Sequence, residues 1–81
     1  MIVVVIPVFN EEKNIGDVIK NVLPSCDKIV VVNDASTDSS KEIIEKYSNE
    51  KVLLISNDKN LGIGGATKVG IKKAIEIGAK Y

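Results

Sequence analysis

The sequence predicts an α/β fold in which strand and helix alternate three times around a three-stranded parallel sheet (βαβαβα). Three short apolar runs, at residues 1–6, 28–32 and 51–55, are rich in β-branched residues. These runs are unbroken rather than alternating, which is typical of parallel strands that are covered on both faces. Each run is followed by a segment with helical features, so right-handed crossovers between parallel strands are expected.

The first strand is predicted at residues 1–6, MIVVVI, and Pro7 is expected to end it. A helix is predicted to begin at Ile15, because the next apolar residues follow at i+3, i+4, i+7 and i+8 and therefore share one face. Those residues are Val18, Ile19, Val22 and Leu23. Pro24 is expected to close this helix.

The second strand is predicted at residues 28–32, KIVVV, and a polar cluster, NDASTDSS, follows it. Ser39 and Glu42 have the spacing of a capping box for the next helix. Ser36 or Thr37 could equally cap that helix. The apolar residues of the helix are expected to face the sheet: Ile43, Ile44 and Tyr47.

The third strand is predicted at residues 51–55, KVLLI, and the polar, glycine-rich segment SNDKNLGIGG is interpreted as a loop. The last helix is predicted from about residue 65 to residue 77, with Gly78 as its C-terminal stop. Its inner face carries only small residues, which would let the helix lie close to the sheet. They are Ala66, Gly70 and Ala74.

Composition excludes several classes of function. The chain has 81 residues, enough for one small domain, and its 11 lysines balance its 11 acidic residues, so nothing indicates nucleic-acid binding. Cys26 is the single cysteine and there is no histidine, which argues against a disulfide, a zinc site or an activated thiol and favours a cytoplasmic setting. The apolar start is too short to span a membrane.

Ligands of open parallel sheets bind beyond the carboxyl ends of the strands, where this chain has three polar loops. In the first loop, Asn10 and Glu11 follow the apolar platform Pro7-Val8-Phe9. A carboxylate beside a flat apolar ledge suits a pair of sugar hydroxyls and a planar base. Alternatively, Asn10 caps the following helix and the glutamates favour its positive N-terminus.

In the second loop, capping explains Ser36, Thr37 and Asp38, but it does not explain Asn33 and Asp34, which precede the cap. Because capping leaves these two residues unexplained, a binding role is favoured for Asp34, whose carboxylate can accept hydrogen bonds from a base or a ribose. An acid–base pair of Asp34 and Asp38 is not expected, since no companion base is present.

In the third loop, closely spaced glycines could expose backbone N–H groups to an anion, or could serve a turn with positive φ. They are Gly62, Gly64 and Gly65. The spacing resembles a dinucleotide-binding fingerprint, but Thr67 stands at its last position and it follows the third strand instead of the first. A dehydrogenase is therefore not indicated.

Together, IPVFNEEKNI, VVNDASTDSS and NLGIGGATKVG resemble the successive N-terminal motifs of family 2 glycosyltransferases. These are inverting enzymes with a GT-A type, Rossmann-like fold, and they include the dolichol-phosphate mannose synthase group and many polysaccharide synthases. The resemblance covers nearly the whole chain. It implies that residues 1–81 are a single domain, the nucleotide-binding N-terminal part of a glycosyltransferase domain.

The resemblance also implies which residues bind the nucleotide. Pro7, Val8 and Asn10 would line the base and ribose, Glu11 would meet a ribose hydroxyl, and Asp34 would contact the base. The third motif adds Asn60, Gly62, Ala66 and Gly70, with Lys68 where an Asn or Arg is often found. The second motif departs from the family at Ala35, where glycine is usual. This departure bears on the geometry of the loop, because alanine tolerates positive φ less well than glycine.

The family's metal-binding Asp-x-Asp motif and its catalytic base follow the segment that ends this chain. The resemblance therefore implies a non-catalytic fragment that binds a UDP- or GDP-sugar and holds no cofactor itself, Mg²⁺ or Mn²⁺ being expected in the full-length enzyme. In such a fragment the first strand would be an exposed apolar edge, and we expect a homodimer through it. Membrane attachment of the parent enzyme stays open.

Two alternatives remain. The chain could be a non-enzymatic α/β module that either binds a nucleotide or only assembles with other copies. These interpretations differ in whether the loops bind a nucleotide at all. A sugar-nucleotide pyrophosphorylase would carry a glycine-rich, arginine-containing loop after the first strand. Here that loop reads PVFNEE and the chain has no arginine, so this alternative ranks low.

Overall fold

The computed structural model describes residues 1–78 and confirms the predicted fold class, a parallel three-stranded sheet whose strands alternate with helices. The strands are β1 (Val3–Val8), β2 (Lys28–Asn33) and β3 (Val52–Ser56). The helices are α1 (Ile15–Val22), α2 (Ser40–Tyr47) and α3 (Gly62–Glu76). The sheet order is β1-β2-β3, which places β2 in the centre. Residues 79–81, after which a fourth strand is expected from the resemblance, lie outside the described part.

The core has one layer on each side of the sheet, because successive residues of a strand point to opposite faces. Ile29 and Val31 of β2 are fully buried in the layer that contains α1 and α2. Val30 and Val32 are fully buried in the layer beneath α3. Two-sided burial of β2 is the reason that its sequence is continuously apolar.

Not all of the apolar residues predicted to share one face of α1 are buried in the core. Ile15 and Ile19 are buried in the core, whereas Val18 is 37% exposed. The helix ends at Val22, and Pro24 lies within a short 3₁₀ turn, Leu23–Ser25, instead of directly terminating the α-helix. Proline is accepted in the first turn of a helix, where no N–H bond is required of it.

Helix α3 lies against β1 and β2 through the predicted small residues. Ala66, Gly70 and Ala74 are all buried. A Cβ atom built at Gly70 would lie 2.2 Å from Cγ1 of Val5 and 3.0 Å from Cγ2 of Val32, so only glycine fits without a shift of the sheet. Gly78 has φ +98°, which confirms it as the stop after the helix.

Helix α3 begins three residues earlier than predicted, at Gly62, so the Gly-Ile-Gly-Gly segment belongs to its first turn. The interpretation of this segment as a loop is wrong, because contacts with the rest of the fold override the low helix propensity of glycine. Within residues 1–78, no helix is long and apolar enough to cross a membrane.

Pro7 does not end the first strand, which continues to Val8. The carbonyls of Ile2 and Val8 accept hydrogen bonds from Lys28 and Asp34 respectively, so the backbone groups of the even-numbered β1 residues face β2. The backbone groups of Val3, Val5 and Pro7 therefore face away from the sheet. Proline is tolerated here because its missing N–H would point out of the free edge and not at β2.

Candidate functional site

A pocket of about 290 Å³ opens at the carboxyl ends of β1 and β2, beside the start of α3. Seven of the ten residues that the resemblance assigns to the nucleotide-binding motifs line it: Pro7, Val8, Glu11, Asp34, Asn60, Gly62 and Ala66. Phe9 and Ile63 complete the lining. The other three do not line this pocket: Asn10 is directed toward the neighbouring loop, Lys68 is exposed on α3, and Gly70 is buried against the sheet.

A second depression of about 210 Å³ lies between the end of β1 and helix α1. It shares Pro7, Val8 and Glu11 with the larger pocket, but it contains neither Asp34 nor any residue of α3. The larger pocket is therefore the candidate site, because it is where the polar residues of all three loops meet.

The first wall of the pocket comes from the end of β1. Val8 is buried and fixed in the core, whereas Phe9 is 47% exposed although it is a large apolar side chain. Glu11 is exposed, and one of its carboxylate oxygens lies 3.4 Å from the side-chain amide of Asn14. This wall thus presents an apolar surface next to a solvated carboxylate.

Asp34 forms the base of the pocket and joins β2 to the start of α3. The residue is only 3% exposed. Its Oδ1 accepts hydrogen bonds from the Leu61 N–H and the Asn57 side-chain amide, both at 2.9 Å, and its Oδ2 accepts one from the Gly62 N–H at 2.9 Å. A carboxylate has about four acceptor positions, so one position on Oδ2 receives no hydrogen bond from residues 1–78.

These bonds set the charge of Asp34. The Leu61 N–H, then the Asn57 amide, lower the pKa of the carboxyl group, with the Gly62 N–H adding to them, and together they outweigh the desolvation that raises it. The pKa of Asp34 is therefore below its ordinary value, and the group is ionised at neutral pH. Asp34 thus caps the start of α3 from a different loop. This structural role explains why an aspartate stands at position 34, where it does not cap the helix that follows it in the sequence.

The capping box predicted for α2 does not form. Ser39 stands at the N-cap position but makes no side-chain cap bond, and the Ser40 N–H instead donates to Oδ1 of Asp38 at 2.9 Å. Oδ2 of Asp38 accepts from the Glu12 N–H at 3.2 Å. Burial raises the pKa of Asp38, but the hydrogen bonds with Ser40 and Glu12 lower it by more, so the pKa lies below its ordinary value.

Asn10 does not cap α1 either, since that helix begins at Ile15 with Asn14 at its N-cap. The side chains of Ser36 and Thr37, the other predicted caps of α2, bond to Asn10 instead. These serine, threonine and asparagine side chains thus serve contacts between loops, which sequence spacing alone does not reveal.

Ala35 has φ +62°, in the left-handed region that glycine adopts most easily. The resemblance implies glycine here, and the structure shows that residue 35 does adopt positive φ. The turn is held nonetheless, because the side-chain carbonyl of Asn33 accepts a bond from the Ser36 N–H at 3.2 Å. Alanine at this position therefore carries local backbone strain.

Asn60 and the first turn of α3 complete the pocket with both polar and apolar groups. The Asn60 side chain accepts a bond from the Gly62 N–H at 2.9 Å, and Gly62 has φ +79°, so glycine is required at that turn. Ile63 follows with 80% of its surface exposed. The motifs in the sequence did not indicate Ile63; its one distinguishing feature there is that it is a large apolar residue set among three glycines.

Within residues 1–78, no group of three or more His, Cys, Asp or Glu side chains is arranged to hold a metal ion. Comparison with protein families gives a match over residues 3–76, from β1 to the end of α3. This chain belongs to glycosyl transferase family 2. The assignment confirms the family that the three sequence motifs indicated.

A second comparison finds a similar segment in a protein of Methanocaldococcus jannaschii, "Uncharacterized protein MJ1222". The two are 52% identical over 46 residues, which is 56% of this chain and 19% of that protein. The chain therefore matches less than a fifth of the length of this relative.

Proposed function

We propose that the pocket binds the nucleotide of a nucleotide-diphosphate sugar, as the donor-binding part of an inverting glycosyltransferase similar to the dolichol-phosphate mannose synthase group. The observation that carries the proposal is the meeting of two carboxylates, Glu11 and Asp34, with the apolar surfaces of Phe9 and Ile63 in one pocket. Membership of glycosyl transferase family 2 supports the same conclusion.

The chemistry of a nucleoside matches these groups. The exposed carboxylate of Glu11 can accept bonds from the two hydroxyls of a ribose, which are both donors. Oδ2 of Asp34 offers its remaining acceptor position to an N–H on the edge of a base. Phe9 and Ile63 provide apolar surface for the faces of a planar ring. At about 290 Å³, the pocket is at the small end of ligand sites, which suits a nucleoside better than a whole nucleotide sugar.

We further propose that this chain binds the donor without transferring its sugar. In this proposal, the metal ion that neutralises the diphosphate, Mg²⁺ or Mn²⁺, and the base that activates the acceptor are held by other parts of the full-length enzyme. A cytoplasmic location is part of the same proposal, and a free Cys26 fits it. The competing interpretation is a non-enzymatic module that binds nucleotide or only assembles.

An amide NMR titration with UDP and with GDP, each with and without Mg²⁺, tests the proposal. We expect shifts at the amides of residues 8–11, 34 and 60–66, and the size of the shifts ranks the two bases. An absence of shifts at millimolar nucleotide would contradict nucleotide binding by this chain. Sugar transfer by the chain alone, from a radiolabelled donor, would contradict its proposed lack of catalysis.

Glu11→Gln should weaken nucleotide binding by roughly tenfold, because a neutral amide is a weaker acceptor for ribose hydroxyls than a carboxylate. Glu12→Gln is the matched control, since it makes the same change at the adjacent residue, which does not line the pocket. Its side-chain oxygen, which accepts from the Ser39 N–H at 3.2 Å, is retained. Equal losses of affinity in the two variants would show a general charge effect and contradict a ribose contact at Glu11.

We also propose that the chain forms a homodimer through the free edge of β1. Within residues 1–78, β1 has a neighbour on one side only, and the N–H groups of Val3 and Val5 face outward with their carbonyls. A second copy of the same edge, running antiparallel, offers the complementary row of donors and acceptors. Exposed Ile2 and half-buried β1 side chains add apolar surface next to the edge.

The dimer should appear in light scattering as a mass that rises with chain concentration from the micromolar to the millimolar range. Val3→Pro removes an outward N–H, as Pro7 does, and should shift the chain toward monomer. Val3→Thr keeps the N–H and a β-branched side chain, and should leave the dimer largely intact. A monomer at every concentration would contradict the proposal.

A further inference from the structure

We infer that Asn10 is a positioning residue, which joins the first two loops and thereby orients Glu11 and Phe9 in the pocket, and does not contact the ligand. The effect on ligand binding rests on the proposed nucleotide site, whereas the joining of the loops does not. The inference departs from the role that the family resemblance implies for Asn10.

The side chain of Asn10 is directed at the second loop. Its Oδ1 accepts a hydrogen bond from the Thr37 N–H at 2.8 Å and lies 3.3 Å from both the Asp38 N–H and the Thr37 hydroxyl. In the other direction, the Asn10 N–H donates to Oγ of Ser36 at 3.0 Å. One residue of the first loop thus bonds to three consecutive residues of the second.

The neighbours of Asn10 continue this pattern. The Glu11 N–H donates to Oγ of Ser40 at 2.8 Å, and the Glu12 N–H donates to Asp38. The Ser39 N–H donates back to the Glu12 carboxylate at 3.2 Å. Because donors and acceptors run in both directions, neither loop can shift without breaking bonds of the other.

The backbone of Asn10 explains why this residue type is present. Its φ is +53°, and among residues other than glycine in the described chain only Ala35, in the opposing loop, also has positive φ. Asparagine tolerates this region better than most residues, and its short side chain reaches nearby backbone N–H groups. The sharp turn at Asn10 separates Phe9 from Glu11, so it determines how both are presented to the pocket.

Three substitutions separate the contributions of Asn10. Asn10→Gly keeps access to positive φ but removes the side-chain acceptor, and Asn10→Ala removes the acceptor and disfavours the turn. Asn10→Asp keeps an acceptor oxygen at the same distance from the backbone. Because Asp lacks the amide N–H₂ that a ligand-contacting asparagine would offer as a donor, rescue by Asp distinguishes positioning from donation to a ligand.

Hydrogen exchange of the free protein is measured first, together with denaturant unfolding to show that each variant is folded. In Asn10→Gly, the Thr37 and Asp38 amides should exchange about fivefold to tenfold faster, the effect of one lost hydrogen bond. Nucleotide affinity should fall in Asn10→Gly, fall further in Asn10→Ala, and stay within about twofold of the parent in Asn10→Asp.

Two results would overturn the inference. One is unchanged exchange at Thr37 and Asp38 in Asn10→Gly, which would show that the side chain does not hold the second loop. The other is an affinity in Asn10→Asp as low as in Asn10→Ala, with normal exchange, which would indicate direct contact of the amide with the nucleotide. If the parent chain binds no nucleotide, the proposed function fails, but the exchange measurements still decide whether Asn10 joins the loops.

Discussion

Gly70→Ala is expected to lower the free energy of unfolding by about 1–3 kcal/mol, the usual cost of overpacking a well-packed interface. The added Cβ would lie 2.2 Å from Cγ1 of Val5, so β1 and α3 must move apart. Val32 limits that adjustment, because it is fully buried on the central strand and lies 3.0 Å from the same position. The midpoint of thermal unfolding should fall on the order of 10 °C in a domain of this size.

Gly64→Ala is the matched control for Gly70→Ala. It makes the same change in the same helix, but a Cβ at Gly64 has no neighbouring atom within 4 Å. Alanine should therefore raise the stability by about 0.5–1 kcal/mol through its better helix propensity. Thermal and urea unfolding of both variants measure the difference. A Gly70→Ala protein as stable as Gly64→Ala would show that the helix–sheet distance is not fixed by Gly70.

Asp34→Asn should weaken nucleotide binding by more than about tenfold and also loosen the start of α3. The substitution preserves the volume of the side chain but replaces one of its two acceptor oxygens with an N–H₂ donor. That donor would face N–H groups that need an acceptor, those of Leu61, Gly62 and the Asn57 side chain. The Leu61 and Gly62 amides should exchange faster in hydrogen-exchange measurements. Asn57→Ala removes a single donor to Asp34 and should give the same changes to a smaller degree. Full retention of binding and of exchange protection in Asp34→Asn would contradict both roles.

Asp34 should also make the fold sensitive to acid. Because its hydrogen bonds hold the pKa of the folded-state carboxyl group below its ordinary value, the unfolded chain takes up the proton first as the pH falls. The stabilisation is complete above about pH 4 and is lost as the pH falls through the lowered folded-state pKa. Urea unfolding of the parent and of Asp34→Asn, at neutral pH and in steps below pH 4, should show a smaller acid-induced loss in the variant. Equal losses would indicate that Asp34 does not contribute.

The sequence predicted features that depend on side-chain patterns within one element. The three apolar runs gave the strands because a strand buried on both faces must be apolar throughout, and β2 meets that condition from Ile29 to Val32. The small residues of α3 likewise predicted its close approach to the sheet. The need for positive φ at residue 35 was visible because alanine replaces the family's glycine there.

The features that the sequence did not predict depend on distant partners. The path of β1 through Pro7 depends on which edge its missing N–H faces, and that is decided by the pairing with β2. In the sequence Asn10 looks like a local cap or a ligand contact, and Asp34 looks like a ligand contact. Their hydrogen bonds nevertheless span 27 residues, to Thr37 and Leu61 respectively. No spacing rule within one loop can reveal such bonds.

Pro7 also limits how a second strand can align with the edge of β1. If Val3 of one copy lies opposite Pro7 of the other, each such pair lacks one of its two reciprocal hydrogen bonds. If Val3 lies opposite Val5, both of those pairs are complete and the two-fold axis passes beside Val4, while Pro7 lies opposite Met1, which precedes β1. The missing donor therefore falls inside the paired strands in the first register and at their end in the second. In either register of the proposed dimer the two strands would run in opposite directions, so the two pockets would lie at opposite ends of the paired β1 strands, at least about 20 Å apart, the length of a six-residue strand. In such a dimer, a single nucleoside could not contact both pockets.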